Sequence, residues 1–328
     1  MTKELNIVAY VHGYLPNHNA GAETMLHQIL VGLAEYGHKV TVITREPGAT
    51  EYEGVPIYDA NDDRAIKLLE NSDIIFTHLD FTKKAVRFSR AMKKPLVHLV
   101  HNDKQLSYNQ IDKTTCHLAI ANSEWIAKTV HQSIPAVIVY PPTDPKYYTT
   151  KTTREAITLL NMNEAKGGKI FWQLARIFPE RQFIGVLGAY GEQVTYDKDL
   201  PNVKLFKNDP DVKKIYAKTG IVLMPSSYES WGRVGMEAAC SGVPCIAAPT
   251  PGLKESLGDS GIFVPHDDVA GYVEAIRYLD DNTNYDKHSK AAKARAKVVT
   301  DAFKEQLEIL EERLQNLKFP DPHSRLRR

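Results

Sequence analysis

Short apolar runs rich in valine, isoleucine and leucine alternate with amphipathic stretches along the first half of the chain. This alternation is typical of parallel strands whose two faces are covered by helices. The pattern predicts a doubly wound α/β sheet with helices near residues 22–36, 81–94 and 123–132. The strands predicted for this sheet are residues 5–11, 40–44, 74–77, 96–100, 118–122 and 136–140.

The alternation stops at a proline-rich turn, residues 141–145, and then begins again. A chain of 328 residues exceeds the size at which a single core keeps growing, so the restart predicts a second doubly wound domain. Its predicted strands are residues 157–160, 182–188, 203–206, 219–224, 243–247 and 262–264. The linker is predicted near residues 141–153, and the domains at residues 1–145 and 146–300.

The end of the chain carries a helical stripe of apolar residues with no strand after it. The stripe consists of Phe303, Leu307, Leu310, Leu314 and Leu317. We expect residues 301–328 to form a helix and tail that cross back and pack on the first domain.

Composition adds mainly exclusions. With 43% hydrophobic and 25% charged residues, the chain is that of an ordinary globular protein. A net charge of +1 means that an anionic partner must be met by a local patch. Cys116, Cys240 and Cys245 lack the number for a disulfide framework and the spacing of a zinc site, so we expect buried, reduced thiols. The first apolar run is too short to cross a bilayer and has no cleavage site, which predicts a cytoplasmic protein, with peripheral association at a membrane left open.

A polar loop, residues 12–22, follows the first predicted strand, where ligands bind in open parallel sheets. Gly21 stands at its end and lets the backbone approach a ligand at a helix N-terminus. A plain turn from strand to helix explains the same residues equally well.

Residues 224–239 contain two glutamates separated by seven residues, Glu229 in a loop and Glu237 in the helix that follows. Carboxylates accept hydrogen bonds from vicinal hydroxyls, which suits a ribose or a hexose. Backbone amides around Gly232 suit a phosphate or a sugar. Without further sequence context, a capping residue and a solvent-facing acid would explain the two glutamates.

This segment resembles the Glu-x7-Glu signature of the retaining glycosyltransferases of family four, which have the GT-B fold of two Rossmann-like domains. The likeness extends over nearly the whole chain. Further elements similar to the family's are Pro16 through Gly21 with Glu23, His101-Asn102-Asp103, Lys166-Gly167, and Gly252 with Glu255. Ala20 stands where the family usually has the first glycine of its opening loop.

The resemblance implies an acceptor domain first and a domain for a nucleotide diphosphate sugar donor second. It implies that Glu237 binds the ribose hydroxyls, Glu229 the transferred sugar and Lys166 the diphosphate, with amides near Gly232 also on the sugar. His101 would contact the donor sugar near the reacting carbon. The predicted catalytic set is thus His101, Glu229, Lys166 and Arg233, and the predicted donor-binding set is Gly21, Asn161, Lys166, Glu229, Gly232, Arg233, Glu237 and Gly252.

One departure concerns the phosphate ligands. Family members usually carry Gly-Arg five residues before the lysine, but Leu160 and Asn161 occupy those places here. Arg233, after Gly232, resembles the arginine of a subgroup that pairs Asn-x-x-x-x-Lys-Gly with Gly-Arg. An exposed surface arginine is the alternative.

The implied chemistry needs no cofactor and no metal, because a lysine, an arginine and a helix N-terminus stabilise the leaving diphosphate. No Asp-x-Asp metal pair is required, and no carboxylate is placed as a covalent nucleophile. Front-face attack, as proposed for the family, would retain the configuration. His78 and His98 are expected to be packed histidines.

Rival functions stay open at this stage. A nucleotide-sugar epimerase also uses paired Rossmann-like domains but lacks the Glu-x7-Glu loop. A non-catalytic nucleotide-sugar-binding scaffold would lack His101 or Lys166, and both are present. No Gly-x-Gly-x-x-Gly follows either opening strand, which disfavours an enzyme that uses NAD.

Residues 81–94 place basic side chains on one helical stripe and apolar ones on the opposite stripe. The basic residues are Lys83, Arg87, Arg90 and Lys94, and the apolar ones are Phe81, Ala85, Phe88 and Met92. The stripe is either a solvated helix face or a surface for anionic membranes or for DNA phosphates. We expect a glycan or lipid-linked acceptor ahead of a hydroxylated base in DNA; the donor base and sugar are not identified by the sequence.

Overall fold

The structure is a computed structural model, and it describes residues 3–103, 116–130, 132–188, 191–195, 200–209 and 211–319. The chain divides into two compact units, which we call unit 1 (residues 1–141 and 303–328) and unit 2 (residues 142–302). The domain limits predicted from the sequence are residues 145 and 300. Each unit contains a predominantly parallel sheet between helices, so the predicted α/β class of two doubly wound sheets is confirmed.

Among the described residues, unit 1 has an eight-stranded sheet in the order β3-β4-β2-β1-β5-β6-β7-β8, parallel except for the pair of β3 and β4. The strands are β1 (Asn6–Val11), β2 (Lys39–Thr44), β3 (Glu51–Tyr52), β4 (Val55–Asp59), β5 (Ile74–His78), β6 (Leu96–Val100), β7 (Leu118–Ala121) and β8 (Ala136–Ile138). The helices are α1 (Gly21–Glu35), α2 (Asp63–Asn71), α3 (Thr82–Met92) and α4 (Glu124–Thr129).

Strand β1 shows why the alternation predicts this sheet. Ile7, Ala9 and Val11 belong to the hydrophobic core on one face, while Val8 and Tyr10 belong to the core on the other. Since both faces are buried, the strand is apolar at nearly every position. The alternation expected of a strand is therefore visible only in the packing, because successive side chains enter different cores.

Residues 51–71 contain β3, β4 and α2, which the hydrophobic pattern does not predict. Strand β3 has two residues, too few for an alternation to appear. Helix α2 begins after Asp62, whose side chain accepts a hydrogen bond of 2.8 Å from the backbone N–H of Arg64. Its local capping signal is clear, but only Ala65 and Leu69 of its residues are buried.

Unit 2 has a six-stranded parallel sheet in the order β11-β10-β9-β12-β13-β14 within the described residues. The strands are β9 (Ala156–Leu160), β10 (Gln182–Val186), β11 (Val203–Phe206), β12 (Thr219–Met224), β13 (Cys245–Ala247) and β14 (Ile262–Phe263). The helices are α5 (Pro145–Tyr148), α6 (Gly168–Ile177), α7 (Lys213–Tyr216), α8 (Arg233–Cys240), α9 (Pro251–Leu257), α10 (Val269–Tyr278) and α11 (Asn282–Gln315).

Each sheet grows in one direction from a central strand and then in the other. The order reverses between β1 and β5 in unit 1 and between β9 and β12 in unit 2. Such reversals open a crevice at the carboxyl ends of the two strands, and this is where open α/β sheets bind ligands. The fold thus directs attention to the loops after these four strands.

Helix α11 belongs to both units. Its later residues Leu307, Leu310 and Leu314 join the core of unit 1, as the apolar stripe predicts. Leu307 packs against Gly32 of α1, and Gln306 accepts a hydrogen bond of 2.7 Å from the backbone N–H of Tyr140. The end of the chain thereby completes the unit in which the chain begins.

The three cysteines are free and buried, as predicted. In the described part of the chain, no helix combines the length and apolarity needed to span a bilayer.

Candidate functional site

The loop after β9 is shaped by two asparagines. Asn161 adopts a left-handed backbone conformation with φ +69°, which asparagine tolerates better than most residues. The Asn163 side chain then accepts a hydrogen bond of 2.9 Å from the backbone N–H of Lys166, closing a short 3-10 turn. Helix α6 begins directly after this turn, so Lys166 stands where the loop enters the helix.

The loop after β12 ends at Gly232, whose φ of +86° lies in the left-handed region that favours glycine. Helix α8 begins at the next residue, Arg233. The backbone N–H of Ser227 donates a hydrogen bond of 2.9 Å to the carbonyl of Ala165. The loops after the two central strands of unit 2 are therefore joined to each other.

Lys166 and Glu229 form the first of two ion pairs in this part of unit 2, and this pair joins the two loops. Lys166 Nζ lies 2.5 Å from Glu229 Oε1, and the Ser226 hydroxyl donates a bond of 3.0 Å to the same oxygen. The predicted phosphate-binding lysine and the predicted sugar-binding glutamate are thus direct neighbours.

Arg233 and Glu237 form the second pair, one turn apart on α8. Nε and Nη2 of Arg233 each donate a hydrogen bond of 3.2 Å to Glu237 Oε1. The two side chains are 11% and 12% exposed, so the pair is largely shielded from water and from screening by salt. Arg233 is therefore a partly buried, bidentate cation, unlike the exposed surface arginine of the alternative reading.

Two tyrosines complete this second pair. Arg233 Nη2 donates a hydrogen bond of 2.8 Å to Tyr148 OH, and Tyr216 OH donates one of 2.9 Å to Glu237 Oε2. Burial, and then the Glu237 charge, raise the pKa of Tyr148 to about 12 and that of Tyr216 well above its ordinary value. Burial acts to lower the pKa of Arg233, but Tyr148 and Glu237 raise it overall. At neutral pH both phenols are protonated and the guanidinium is charged.

The pairs leave capacity for a ligand. A carboxylate offers about four acceptor positions, and Glu237 uses three of them for Arg233 and Tyr216. The two donors to Glu229 both bond Oε1. Two carboxylates and two cations at the entrance of a helix can bind a molecule that carries both hydroxyls and an anion.

Asn161 and Gly252 hold the loops in place. Asn161 Oδ1 accepts hydrogen bonds of 3.3 Å from Asn163 N–H and 3.2 Å from Gln193 Nε2, so this side chain braces the loop that precedes Lys166. A Cβ atom on Gly252 would lie 2.3 Å from the backbone carbon of Ser230, and only glycine allows this approach. Their predicted contacts with a donor stay predictions.

The remaining predicted site residues, Gly21 and His101, lie in unit 1. Gly21 is the first residue of α1, and Ala20 before it supplies no side-chain cap. His101 follows β6, and its Nε2 lies 3.0 Å from Nδ1 of His78. Burial lowers the pKa of His101 to about 4, which makes its ring neutral at physiological pH. The predicted catalytic contact of His101 stays a prediction.

His78 and His98 are fully buried, and for His98 this agrees with its interpretation as a packed histidine. Burial, and then the neighbouring His101, lower the pKa of His98 to about 3. Burial also lowers the pKa of His78 well below its usual value. All three rings are therefore uncharged in the neutral range.

The basic stripe of residues 81–94 needs a correction. Helix α3 ends at Met92 because Lys93 adopts a left-handed conformation with φ +53°. Lys83, Arg87 and Arg90 are exposed on the helix, but Lys94 lies beyond its end and is half-buried. Its charge helps to hold the pKa of Asp73 below the usual value, against burial, which raises it. The stripe thus has three basic residues, and Lys94 is not one of them.

The sequence did not predict Tyr148 or Tyr216. Tyr148 follows the proline-rich turn on α5, and Tyr216 ends the four-residue helix α7. Both tyrosines are distant from Arg233 along the chain, so no short sequence motif links them to it. Each tyrosine is buried at the end of a four-residue helix, which the sequence alone does not reveal.

The sequence matches two family models, "Glycosyltransferase Family 4" over residues 19–147 and "Glycosyl transferases group 1" over residues 195–298. It is 35% identical over 94 residues to D-inositol 3-phosphate glycosyltransferase 1 of Catenulispora acidiphila, which covers 28% of this chain and 21% of that protein. The aligned part spans less than a third of the length of such curated relatives.

Solved structures of other proteins share the fold, and two of them illustrate it. Anabaena HepE in complex with UDP-glucose has a TM-score of 0.77 at 18% identity, covering 93% of this chain and 99% of that one. An alpha-glucosyltransferase in complex with UDP and a 13-mer DNA containing an HMU base has a TM-score of 0.67 at 12% identity, covering 94% and 100%. The fold is that of the GT-B glycosyltransferases, and two separate stretches of the sequence each match a glycosyltransferase family model.

Proposed function

We propose that the chain is a glycosyltransferase that moves a sugar from a nucleotide diphosphate sugar to an acceptor hydroxyl, with retention of configuration and without a metal ion. The observation that carries the proposal is the set of two ion pairs in unit 2, Lys166 with Glu229 and Arg233 with Glu237. Both pairs lie on the loops and helix that follow the central strands, at the reversal of the strand order.

Each member of the two pairs has a part of the donor to bind. Glu237 accepts hydrogen bonds from the vicinal ribose hydroxyls, and Glu229 accepts one from the transferred sugar. Lys166 and Arg233 bind the diphosphate together with the amides at the start of α8. When the donor binds, its phosphate oxygens accept some of the hydrogen bonds that the lysine and the arginine donate to the two carboxylates in the empty site.

The transfer step then follows from charge. The bond between the anomeric carbon and the phosphate oxygen breaks, and its electron pair stays on the departing diphosphate. Lys166, Arg233 and the helix N-terminus stabilise this charge in a site shielded from water. The acceptor oxygen bonds the anomeric carbon from the same face, and its proton passes to the departing phosphate.

The related proteins support a nucleotide-sugar donor. HepE was crystallised with UDP-glucose, and the Catenulispora relative is named as a glycosyltransferase for D-inositol 3-phosphate. We propose a glycan or lipid-linked hydroxyl as the acceptor, ahead of a hydroxylated base in DNA.

The test is release of free nucleoside diphosphate from UDP-, GDP- and ADP-sugars, with and without EDTA and with glycan, lipid-linked or duplex DNA acceptors. We expect release that survives EDTA, and a product with the anomeric configuration of the donor by NMR. A strict need for magnesium or manganese overturns the metal-free step, and an inverted product overturns retention. Donor binding without release indicates a scaffold, and a donor epimer indicates an epimerase.

A further inference from the structure

A second group of polar side chains lies in unit 1, at the reversal of the strand order between β1 and β5. His12 follows the end of β1, His78 is the last residue of β5, and Glu23 lies in the first turn of α1. Strands β1 and β5 are direct neighbours, which brings the three residues to one edge of the sheet. We call them the His-Glu-His cluster.

The cluster has the composition and spacing of a metal site. One ligand atom from each residue, an imidazole nitrogen or a carboxylate oxygen, lies within 4.8 Å of the other two. His12 Nε2 and Glu23 Oε1 are 3.6 Å apart, which is too long for a hydrogen bond. Two ligands of a tetrahedral zinc ion at 2.0–2.1 Å lie about 3.3 Å apart, so a small movement brings this pair into range.

Polar atoms in the cluster are buried without partners. Within the described residues, Nε2 of His78 and Nδ1 of His12 are both shielded from solvent and have no hydrogen-bond partner. His78 is fully buried, so bulk solvent does not reach this nitrogen. Leaving a buried nitrogen unsatisfied costs about 1–3 kcal/mol, and proteins seldom do so without a function.

The neighbours of the cluster provide support of the kind that metal ligands receive. Nδ1 of His78 lies 3.0 Å from Nε2 of His101, which can fix the tautomer and the ring orientation of His78. Histidine ligands of metals commonly donate their other ring N–H to an acceptor such as a carboxylate, a carbonyl or water, and here His101 Nε2 lies in that position. The contact with His101 uses Nδ1 of His78, so the other ring nitrogen, Nε2, is the one that has no hydrogen-bond partner among the described residues.

We propose that the His-Glu-His cluster binds a divalent transition metal, with zinc as the ion that fits its ligands. Two imidazoles and one carboxylate are a ligand set that zinc accepts, and three protein ligands leave a fourth position open. The His12 side chain is 25% exposed, so the site is accessible to an ion from solution. The proposed transfer step in unit 2 uses no group of this cluster.

The test measures binding of the metal alone, without nucleotide or acceptor. Metal-free protein without an affinity tag is titrated with zinc against a chromophoric chelator, and with cobalt while its visible absorption is recorded. We expect one zinc per chain and a cobalt spectrum of four- or five-coordinate geometry. His12→Ala and Glu23→Gln should each weaken zinc binding by at least about tenfold.

His18→Ala and Glu46→Gln are matched controls, since they change the same residue types next to the cluster but outside it. Both should bind zinc like the wild type. Circular dichroism and the Tm of each metal-free variant show that it folds. No stoichiometric zinc in the wild type, or equal affinity in all four variants, overturns the proposal. Either result leaves sugar transfer untouched, so the failures of the two proposals are distinguishable.

Discussion

The two sheets end in different electrostatic arrangements, although both reverse their strand order at the same kind of place. In unit 2, Lys166, Arg233, Glu229 and Glu237 are joined in two ion pairs. In unit 1, the corresponding edge carries His12 and His78, and within the described part of the chain each has one buried ring nitrogen without a hydrogen-bond partner. The four charged groups of the first edge are paired with one another, whereas two ring nitrogens of the second edge are buried without a hydrogen bond among the described residues.

This difference separates two ways of preparing a binding site. Paired charges compensate each other while a site is empty, and a ligand then competes with these pairs for the same side chains. A buried imidazole nitrogen without a hydrogen bond instead destabilises the empty site, and a bound ion removes this free-energy cost. The following predictions test the comparison, beginning with the largest expected effect.

Loss of a cation should have the largest effect on catalysis. Lys166→Ala and Arg233→Ala should each lower kcat/KM roughly 30- to 900-fold, because the departing diphosphate loses a stabilising charge. This corresponds to a loss of about 2–4 kcal/mol of transition-state stabilisation. Steady-state release of nucleoside diphosphate measures this. Lys169→Ala is the control, since Lys169 is exposed on α6 and pairs with Glu164. A reduction of the same size in the control would break the assignment.

The two glutamates should differ in which constant they change. Glu237→Ala should weaken binding of the nucleoside diphosphate by about 10- to 100-fold, as expected for a lost hydrogen bond to a charged group. Glu229→Ala should mainly lower turnover and leave free nucleotide binding nearly unchanged, since its partner is the sugar. Calorimetry and steady-state kinetics separate the two. Wild-type affinity and turnover in both variants would remove the site from unit 2.

The tyrosines should have smaller effects, as positioning residues. Tyr216→Phe removes the bond to Glu237 and should weaken nucleotide binding, whereas Tyr148→Phe removes the bond to Arg233 and should lower kcat. Each change should cost about 0.5–1.5 kcal/mol, roughly 2- to 12-fold. Tyr147→Phe, the half-exposed neighbour, is the control. A purely structural role would lower the Tm of each variant without this division between binding and turnover.

The basic stripe on unit 1 should have no effect on donor chemistry. Reversing Lys83, Arg87 and Arg90 together to glutamate should leave donor hydrolysis unchanged, while binding to anionic vesicles or duplex DNA is lost if the stripe is functional. Lys94→Ala is the control, because this residue lies off the helix. If the wild type binds neither surface at low salt, the stripe is only solvated.

How far the sequence predicts the site depends on how local the signal is. Glu229, Gly232 and Glu237 lie within one short segment, and the structure places them on one loop and helix. Asn161 was visible as a departure, but its role as a brace depends on Gln193, which lies on a separate loop. The glutamates' ion-pair partners Lys166 and Arg233 were predicted from motifs, not from their pairing.

Other features depend on contacts that the sequence does not display. The error at Lys94 arises because the basic residues keep their helical spacing up to Lys94 in the sequence. The backbone at Lys93 is left-handed, however, and ends the helix before Lys94. Tyr148 reaches Arg233, and Tyr216 reaches Glu237, only through the fold. The His-Glu-His cluster is assembled by the neighbouring strands β1 and β5, and residues this far apart carry no motif.

Helix α11 has a consequence for how the protein is made. The ribosome releases the first strand of unit 1 early, but the core of that unit also needs Leu307, Leu310 and Leu314 from the last helix. Residues 142–302 leave the ribosome as one uninterrupted stretch. Domains generally fold as units during synthesis. The unit that is started first is therefore the last to be completed, and until then the apolar surface around Gly32 on α1 stays uncovered.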